Sequence, residues 1–373
     1  MRLAFLLLTG LLSVAVQAAP QEVATFDRGN WPEQLDTPTL FDVASRAEIL
    51  GFARVLHDSE ALDEAALAKR LKLRQINLLA VNQLRERLWQ QLWRNYERAQ
   101  KSCEQDASFC YVIEHLGDLR QQAAKFDVAA DSFYAGWVEP ARLFHQRYLD
   151  EQLRKAALFP QTSSEVVLFS EQERNGDELN DRLFLLTFEG GPGPATAALA
   201  DYLRRQKLGA TFFVLGTAVQ ARRESTSLSD LRALYQGQCV GVQGWEFRSH
   251  AHWKDWQDSV LRSVARVRGD LPEQYVPLFR PPYGQRRADS QRFFASQQLQ
   301  VSLWDIDAQD QSGLSAEQSA QRVLSLMLLW RRGVIQFHDN QPKAQAAVAW
   351  LLQHTAQSGI GWEDCQGYAG MRH

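Results

Sequence analysis

The sequence predicts an α/β protein of 373 residues, with an all-helical N-terminal region followed by a parallel α/β sheet or barrel. A change in the spacing of apolar residues along the chain indicates this division. Between about residues 37 and 159 the apolar residues recur at the three- and four-residue spacing of helices, without strand-like alternation. After residue 181, short β-rich runs alternate with helical stretches, as in parallel α/β folds.

The helical region, residues 21–160, shows its pattern most clearly in one run. The apolar residues on one face of that predicted helix are Val81, Leu84, Leu88, Leu92 and Tyr96. A second run follows Pro140, which suits the first turn of a helix. We expect a helical domain of unknown role with a surface for a protein partner.

Residues 161–180 are mostly polar and charged, and we predict a linker there. The barrel should span residues 181–373. Its predicted strands are LFLLTF, ATFFVLG, LFRPP, VSLWDID and GVIQFHD. Its predicted helices are ATAALADYLRRQK, DWQDSVLRSVARV and SAEQSAQRVLSLMLLW.

The first residues have the pattern of a secretory signal peptide. Arg2 precedes an apolar run and a small-residue end, so we predict a signal peptide over residues 1–18, cleaved after Ala18. A retained membrane anchor is the alternative, although the run is short for a bilayer span and no later stretch is long enough. We therefore expect an exported, periplasmic protein with no transmembrane segment.

The charge of the chain and its cysteine content further restrict its function and predict its disulfides. The chain has 41 basic and 44 acidic residues, a formal net charge of −3, which does not suggest nucleic-acid binding. Four cysteines in an exported chain predict disulfides, paired as Cys103–Cys110 and Cys239–Cys365, with free buried thiols as the alternative.

Four polar residues stand at or just past the ends of four predicted strands: Glu189, Arg280, Asp307 and His338. The active sites of such folds lie at the carboxyl ends of their strands. One such residue would be unremarkable, but four after four strands predict a catalytic or binding cleft.

The motifs of this half resemble, in order, those of the polysaccharide deacetylase (NodB-homology) family of carbohydrate esterases. TFEGGP at 187–192 is similar to the family's first motif, TFDDGP, and LGATFFVLG resembles the strand that follows it. RPPYG at 280–284 resembles the third motif, WDIDAQDQ at 304–311 the fourth, and VIQFHD at 334–339 the fifth. The resemblance covers residues 181–373.

The resemblance implies a distorted (β/α) barrel that removes acetyl groups from N-acetylated sugars of a polysaccharide. In the family, a divalent metal such as zinc, held by one Asp and two His, polarises the acetyl carbonyl and the attacking water. A second Asp takes the proton of the water, and a His protonates the leaving amine.

The catalytic positions match the family in part. The base falls on Glu189, one methylene longer than the family's Asp, and Arg280 matches the residue that orients the base. His338 matches the general acid, and Asp307 matches the carboxylate that orients this His. Gln311 replaces the Trp that usually ends the family's fourth motif, so the pocket wall formed by that Trp is not expected here.

The three metal-ligand positions depart from the family. Gly190 replaces the Asp, and Gln243 and Phe247 replace the two His of the second motif. Because a divalent ion needs several donor groups, we expect no metal at the usual place. Glu246 and His250 repeat the spacing of the lost His pair and would share a face in a helical turn, which predicts a displaced site. The alternative is that His250 lies in a surface loop.

The predicted substrate contacts are Tyr283, Trp304 and Asp310. Aromatic rings at the rim of a cleft stack on the apolar faces of sugars, although aromatic residues of a barrel more often belong to its core.

Three functions remain open. The first is an exported hydrolase of N-acetyl (amide) groups of a cell-envelope polysaccharide or peptidoglycan. The second is a pseudoenzyme that binds glycan in the same cleft, with Asp307, Arg280, His338 and the tryptophans as its recognition surface. Glu189 paired with Arg280, and His338 paired with Asp307, as satisfied buried groups are the alternative to catalytic roles for these residues. The third is an envelope assembly or scaffold protein, in which the helical region binds a protein partner.

Overall fold

The computed structural model describes residues 22–158, 170 and 173–371. The predicted signal peptide and most of the predicted linker lie outside these residues. Within them, no helix is both long enough and apolar enough to cross a bilayer.

The N-terminal region is helical, as predicted. Its helices are α1 (Pro38–Glu60), α2 (Glu64–Arg70), α3 (Leu78–Ala99), α4 (Leu116–Lys125) and α5 (Ala135–Leu158). Thr37 caps α1 by accepting a hydrogen bond from the amide of Leu40. Nearly every residue of α1 from Phe41 to Leu56 is buried, because α3, α4 and α5 pack around it. A helix enclosed on all sides needs no polar face.

The predicted apolar face of α3 is confirmed, since all five of its residues are buried. The prediction for Pro140 is wrong. Helix α5 begins at Ala135, so Pro140 lies inside the helix rather than in its first turn. Proline lacks the N–H that would bond to the carbonyl of Gly136, but Gly136 is exposed and water can satisfy that oxygen.

The C-terminal region is a curled, all-parallel sheet that forms an open half-barrel. Its strands are β1 (Glu173–Arg174), β2 (Leu183–Glu189), β3 (Thr211–Val214), β4 (Cys239–Val242), β5 (Tyr275–Phe279), β6 (Gln300–Ser302), β7 (Ile306–Asp307), β8 (Gly333–His338) and β9 (Gly361–Trp362). They lie in the order β1-β6-β5-β4-β3-β2-β8-β7, and β9 pairs with the start of β2. The predicted distorted barrel is confirmed.

Helices connect most of these strands, as the alternating pattern predicted. They are α6 (Thr196–Arg205), α7 (Gly216–Ser225), α8 (Leu228–Leu234), α9 (Trp256–Asp270), α10 (Gln291–Ser296), α11 (Ala316–Trp330), α12 (Lys343–Thr355) and α13 (Cys365–Gly370). Sequence reasoning missed β1, β4 and β9, which have only two to four residues each.

The helical region and the barrel share one hydrophobic core, because α1 and α3 pack against α11. Buried side chains of the helical region also hydrogen-bond to the backbone of α11. The Ser45 hydroxyl donates to the carbonyl of Leu328 at 2.7 Å, and the Asn95 amide donates to that of Leu329 at 3.1 Å. The N-terminal helices are therefore part of the packed structure of the barrel.

The predicted linker needs one correction. Residues 173 and 174 form β1, which pairs with β6, so the sheet begins inside the segment assigned to the linker. Arg286 secures this strand by donating to the buried carboxylate of Glu173 at 2.8 Å. Both predicted disulfides, Cys103–Cys110 and Cys239–Cys365, are present.

Candidate active site

Strands β2 and β8 bring the first two predicted catalytic residues together. They are parallel neighbours, and Glu189 lies directly opposite His338 in their register. The buried apolar residues of both strands fix this register, because a shift by one residue would turn those side chains out of the core. His338 Nε2 lies 3.4 Å from Glu189 Oε1, so the predicted base and acid are in contact.

Arg280 follows β5 and is completely buried beside the same carboxylate. Its Nη1 donates to the Thr187 hydroxyl at 2.8 Å and lies 3.4 Å from Glu189 Oε2. The rest of the guanidinium donates to the carbonyls of Ser302 and Leu303, both at 3.1 Å. Arg280 is thus held rigidly, and Glu189 lies between two cationic groups.

The partner of His338 is Asp310 rather than the predicted Asp307. Asp310 Oδ1 lies 2.8 Å from His338 Nδ1, and its Oδ2 accepts the backbone N–H of His338 at 2.9 Å. The carboxylate of Asp307 accepts the backbone N–H of Gln309 at 2.8 Å instead. The cause is register: Asp307 pairs with Gln336, two residues before His338.

These contacts determine the charges at the site. Burial alone would raise the pKa of Glu189, but His338 and Arg280 outweigh it and the pKa is lowered. Burial alone would lower the pKa of His338, but its hydrogen bonds to Asp310 and Glu189 raise it to about 10. At neutral pH the site therefore holds an imidazolium and a guanidinium around an ionised Glu189.

Two of the three predicted substrate contacts, Trp304 and Asp310, have buried side chains. Trp304 is only 5% exposed and packs near the guanidinium of Arg280, while Asp310 is fully buried behind His338. Tyr283 is 57% exposed and its ring packs against that of Phe247, itself 40% exposed, with 4.6 Å between centroids. Tyr283 and Phe247 form an aromatic pair, and substrate contact by Tyr283 stays a prediction.

The described structure gives no support for the displaced metal site. The chain between β4 and α9 contains no helical turn, so Glu246 and His250 do not share a helical face. His250 is buried, with Nδ1 bonded to the carbonyl of Arg248 at 2.8 Å and Nε2 to the Ser259 hydroxyl at 3.1 Å. Burial lowers the pKa of His250 to about 4. Among the described residues, no three His, Cys, Asp or Glu side chains are grouped to hold a metal.

The family's usual metal position does not fit a divalent ion either. Gly190 has no side chain, and its φ of +89° favours glycine. Gln243 is buried, and its side-chain oxygen accepts the backbone N–H of Gly190 at 3.0 Å. Phe247 offers only an apolar ring. These positions thus contain a backbone hydrogen bond and an aromatic side chain, so no chemical step is assigned to a metal.

Sequence reasoning missed two residues of the site. Thr187, in TFEGGP, anchors Arg280. Asp339, which directly follows His338 in the fifth motif, is buried, and its Oδ2 accepts the Thr196 hydroxyl at 2.8 Å. Burial raises the pKa of Asp339 to about 7. Both residues lie within motifs that resemble those of the family, and this position was the signal in the sequence that could have identified them.

Comparison with known proteins identifies a family for part of the barrel. The family model for polysaccharide deacetylases matches residues 176–302, a stretch that contains Glu189 and Arg280. These residues belong to the polysaccharide deacetylase family. The described helices before the sheet, residues 22–158, lie outside the matched stretch.

Curated relatives support this polysaccharide deacetylase assignment. The chain is 30% identical over 190 residues to the peptidoglycan-N-acetylmuramic acid deacetylase of Bacillus subtilis, covering 49% of this chain but only 38% of that relative. It is 27% identical over 185 residues to a chitooligosaccharide deacetylase of Bradyrhizobium, covering 48% of this chain and 81% of that one.

Solved structures also include one with a similar fold over about half of this chain. A CE4 family pseudoenzyme from Bacillus anthracis superposes with a TM-score of 0.47 at 17% identity, over 55% of this chain and 71% of that one.

Proposed function

We propose that this chain is a periplasmic glycan-binding member of the polysaccharide deacetylase family that recognises an N-acetylated cell-envelope glycan. Support for the glycan comes from the relatives, whose names include deacetylases of peptidoglycan and chitooligosaccharides. The observation that favours binding over hydrolysis is the closed ion network of Glu189, Arg280 and His338.

That network makes both catalytic groups poor proton carriers near neutral pH. A general base and a general acid work best when their pKa values lie near the working pH. The lowered pKa of Glu189 reduces its ability to take a proton from water. The pKa of His338, raised to about 10, reduces its ability to give one up.

The aromatic pair of Tyr283 and Phe247 supports a role in sugar recognition. Both residues follow strands of the same sheet and stay exposed, although apolar side chains of this size are usually buried. In the sequence resemblance Phe247 stands at a family ligand position, so an aromatic ring replaces a metal ligand there. Aromatic faces of this kind stack on the apolar faces of pyranose rings.

Binding can be tested without knowing the full substrate. The probe is an N-acetylglucosamine tetrasaccharide, titrated into the intact protein by calorimetry. We expect Tyr283→Ala and Phe247→Ala each to weaken binding about tenfold, as for truncation of a central contact. Phe133→Ala removes an exposed aromatic of the helical region, 66% exposed, and should have no effect. Equal affinity in all variants would show that the pair does not recognise the glycan.

Hydrolysis of N-acetyl groups is the second candidate function. It is favoured by the 3.4 Å contact between Glu189 and His338, which places a carboxylate and an imidazole where a base and an acid would act. Release of acetate from the same tetrasaccharide tests it, with Glu189→Gln as the control. Acetate release that disappears in Glu189→Gln would establish the enzyme and overturn the non-catalytic proposal.

A further inference from the structure

The loop between β7 and α11, residues 308–315, carries the carboxylate that holds His338. Asp310 itself is buried, whereas Gln311, Gly313 and Ser315 of the same loop are exposed. Surface loops move more than the elements that they connect. Asp310 can keep its two hydrogen bonds to His338 only while this loop is held in place.

Helix α11 holds the beginning of the loop. Nε of Arg322 donates to the carbonyl of Asp307 at 3.0 Å, and the Ser319 hydroxyl donates to the carbonyl of Ala308 at 2.7 Å. Both bonds lie before Asp310 in the chain. They fix the place where the chain leaves β7, but they do not reach the turn at residues 310–313 that contains Asp310.

Lys343 of α12 holds the loop on the other side of Asp310. Its ammonium group donates to the carbonyl of Ser312 at 2.8 Å and to that of Leu314 at 2.7 Å. Among the described residues, no other side chain from outside the loop hydrogen-bonds to residues 311–314. Because a charged donor makes stronger hydrogen bonds than a neutral one, this single side chain can hold that end of the loop.

Lys343 also links the loop to the segment that carries His338. His338 ends β8, and Lys343 follows shortly after it as the first residue of α12. The two carbonyl bonds therefore tie the chain beside His338 to the loop that carries Asp310. Movement of the loop away from α12 would lengthen the 2.8 Å contact between Asp310 Oδ1 and His338 Nδ1.

Three carboxyl groups act on the imidazole of His338. Asp310 reaches it from the loop and Glu189 from β2, and both favour its charged form. Asp339 is the next residue of the chain, and Arg280 contacts the other oxygen of Glu189. Since Asp310 lies at 2.8 Å and Glu189 at 3.4 Å, the loop supplies the closer partner of the imidazole.

We propose that Lys343 is a positioning residue of the cleft, which holds the loop so that Asp310 stays in contact with His338 and the imidazole stays charged. Lys343 acts through Asp310 and makes no contact with the imidazole itself. The inference rests on the proposed function in one respect, that the cleft containing this imidazolium is the glycan site.

The test is an NMR titration of His338 in the intact protein and in Lys343→Met. This substitution removes one positive charge and two hydrogen bonds, and the two losses change the pKa of His338 in opposite directions. Loss of a positive charge alone favours the imidazolium and would raise the pKa, whereas displacement of Asp310 lowers it. The pKa in wild type is about 10, and we expect Lys343→Met to lower it by about one pH unit.

Matched variants separate the bonds of Lys343 from its charge. Lys343→Arg keeps a cation with donors for both carbonyls and should restore most of the wild-type pKa. Lys125→Met removes an exposed lysine at the end of α4, outside the loop, and should leave the pKa unchanged. Lys343→Gln should lower the pKa as Lys343→Met does, and it provides the measurement if the Met variant does not fold.

An unchanged or raised pKa of His338 in Lys343→Met would overturn the proposal, and so would an equal fall in Lys343→Arg. Titration of wild type with the N-acetylglucosamine tetrasaccharide separates this inference from the proposed function. Absence of glycan binding would count against the proposed function alone, because the titration of His338 requires no ligand.

Discussion

Replacing Asp310 with Asn should show which carboxylate controls His338. Asp310 makes two hydrogen bonds to this residue, one to the imidazole at 2.8 Å and one to the backbone N–H at 2.9 Å. An Asn side chain is nearly the same size but presents one oxygen and one NH₂ group. Whichever way it turns, one of the two donors of His338 then faces another donor.

The magnitude follows from the pKa of His338. Its rise from 6.5 to about 10 corresponds to about 5 kcal/mol of preference for the imidazolium. Asp310 lies closer to the imidazole than Glu189 does, so it should account for more than half, about 3 kcal/mol. Because the pKa is raised in the folded state, this stabilisation is full below pH 6.5 and is lost as the pH rises through 10. The lost backbone bond adds about 1 kcal/mol at every pH.

The assay is urea unfolding of wild type and Asp310→Asn between pH 6 and pH 10.5, with the titration of His338 followed by NMR. The difference in unfolding free energy should be about 4 kcal/mol at pH 6 and should fall to about 1 kcal/mol at the upper end. The matched control is Asp307→Asn, expected to stay within about 0.5 kcal/mol of wild type. A larger effect from Asp307→Asn, or an unchanged His338 pKa in Asp310→Asn, would refute the assignment.

Two further predictions concern how the chain is held together. Arg322 of α11 pairs with Glu151 of α5 at 2.7 Å, and both are buried, so Arg322→Met should destabilise the protein by about 3–5 kcal/mol in urea unfolding. Adding Glu151→Gln should recover part of the loss, and failure to do so would mean that packing dominates. The disulfide Cys239–Cys365 closes a separation of 126 residues, so replacing both cysteines with Ala should cost about 5 kcal/mol. The other disulfide closes only seven residues and should cost about half as much, and a reversed order would contradict the loop-closure argument.

Much of the fold follows from local pattern. The apolar run of β2 is long enough, and bounded clearly enough by glycine and proline, to be recognised as a buried strand. The spacing of Val81 to Tyr96 predicts α3 and its buried face, because one face of a helix repeats every three to four residues. Short strands such as β4 and β9 lack enough residues to show any period, which is why they were missed.

The sequence by itself determined that Glu189, Arg280 and His338 would meet. Glu189 and His338 are the last residues of their strands and Arg280 directly follows one. The carboxyl ends of parallel strands lie at the same edge of a sheet. It also determined that Gly190 and Phe247 offer no metal ligand, since that is a property of the side chains. These conclusions need only element order and residue chemistry.

The tertiary structure alone decided which groups the site residues contact. Asp307 ends β7 two register positions before His338. The turn after Asp307 carries the chain on, so that Asp310 lies level with His338 and contacts its imidazole. The burial of His250, Trp304 and Asp310 could not be predicted either, because it depends on neighbours distant in sequence.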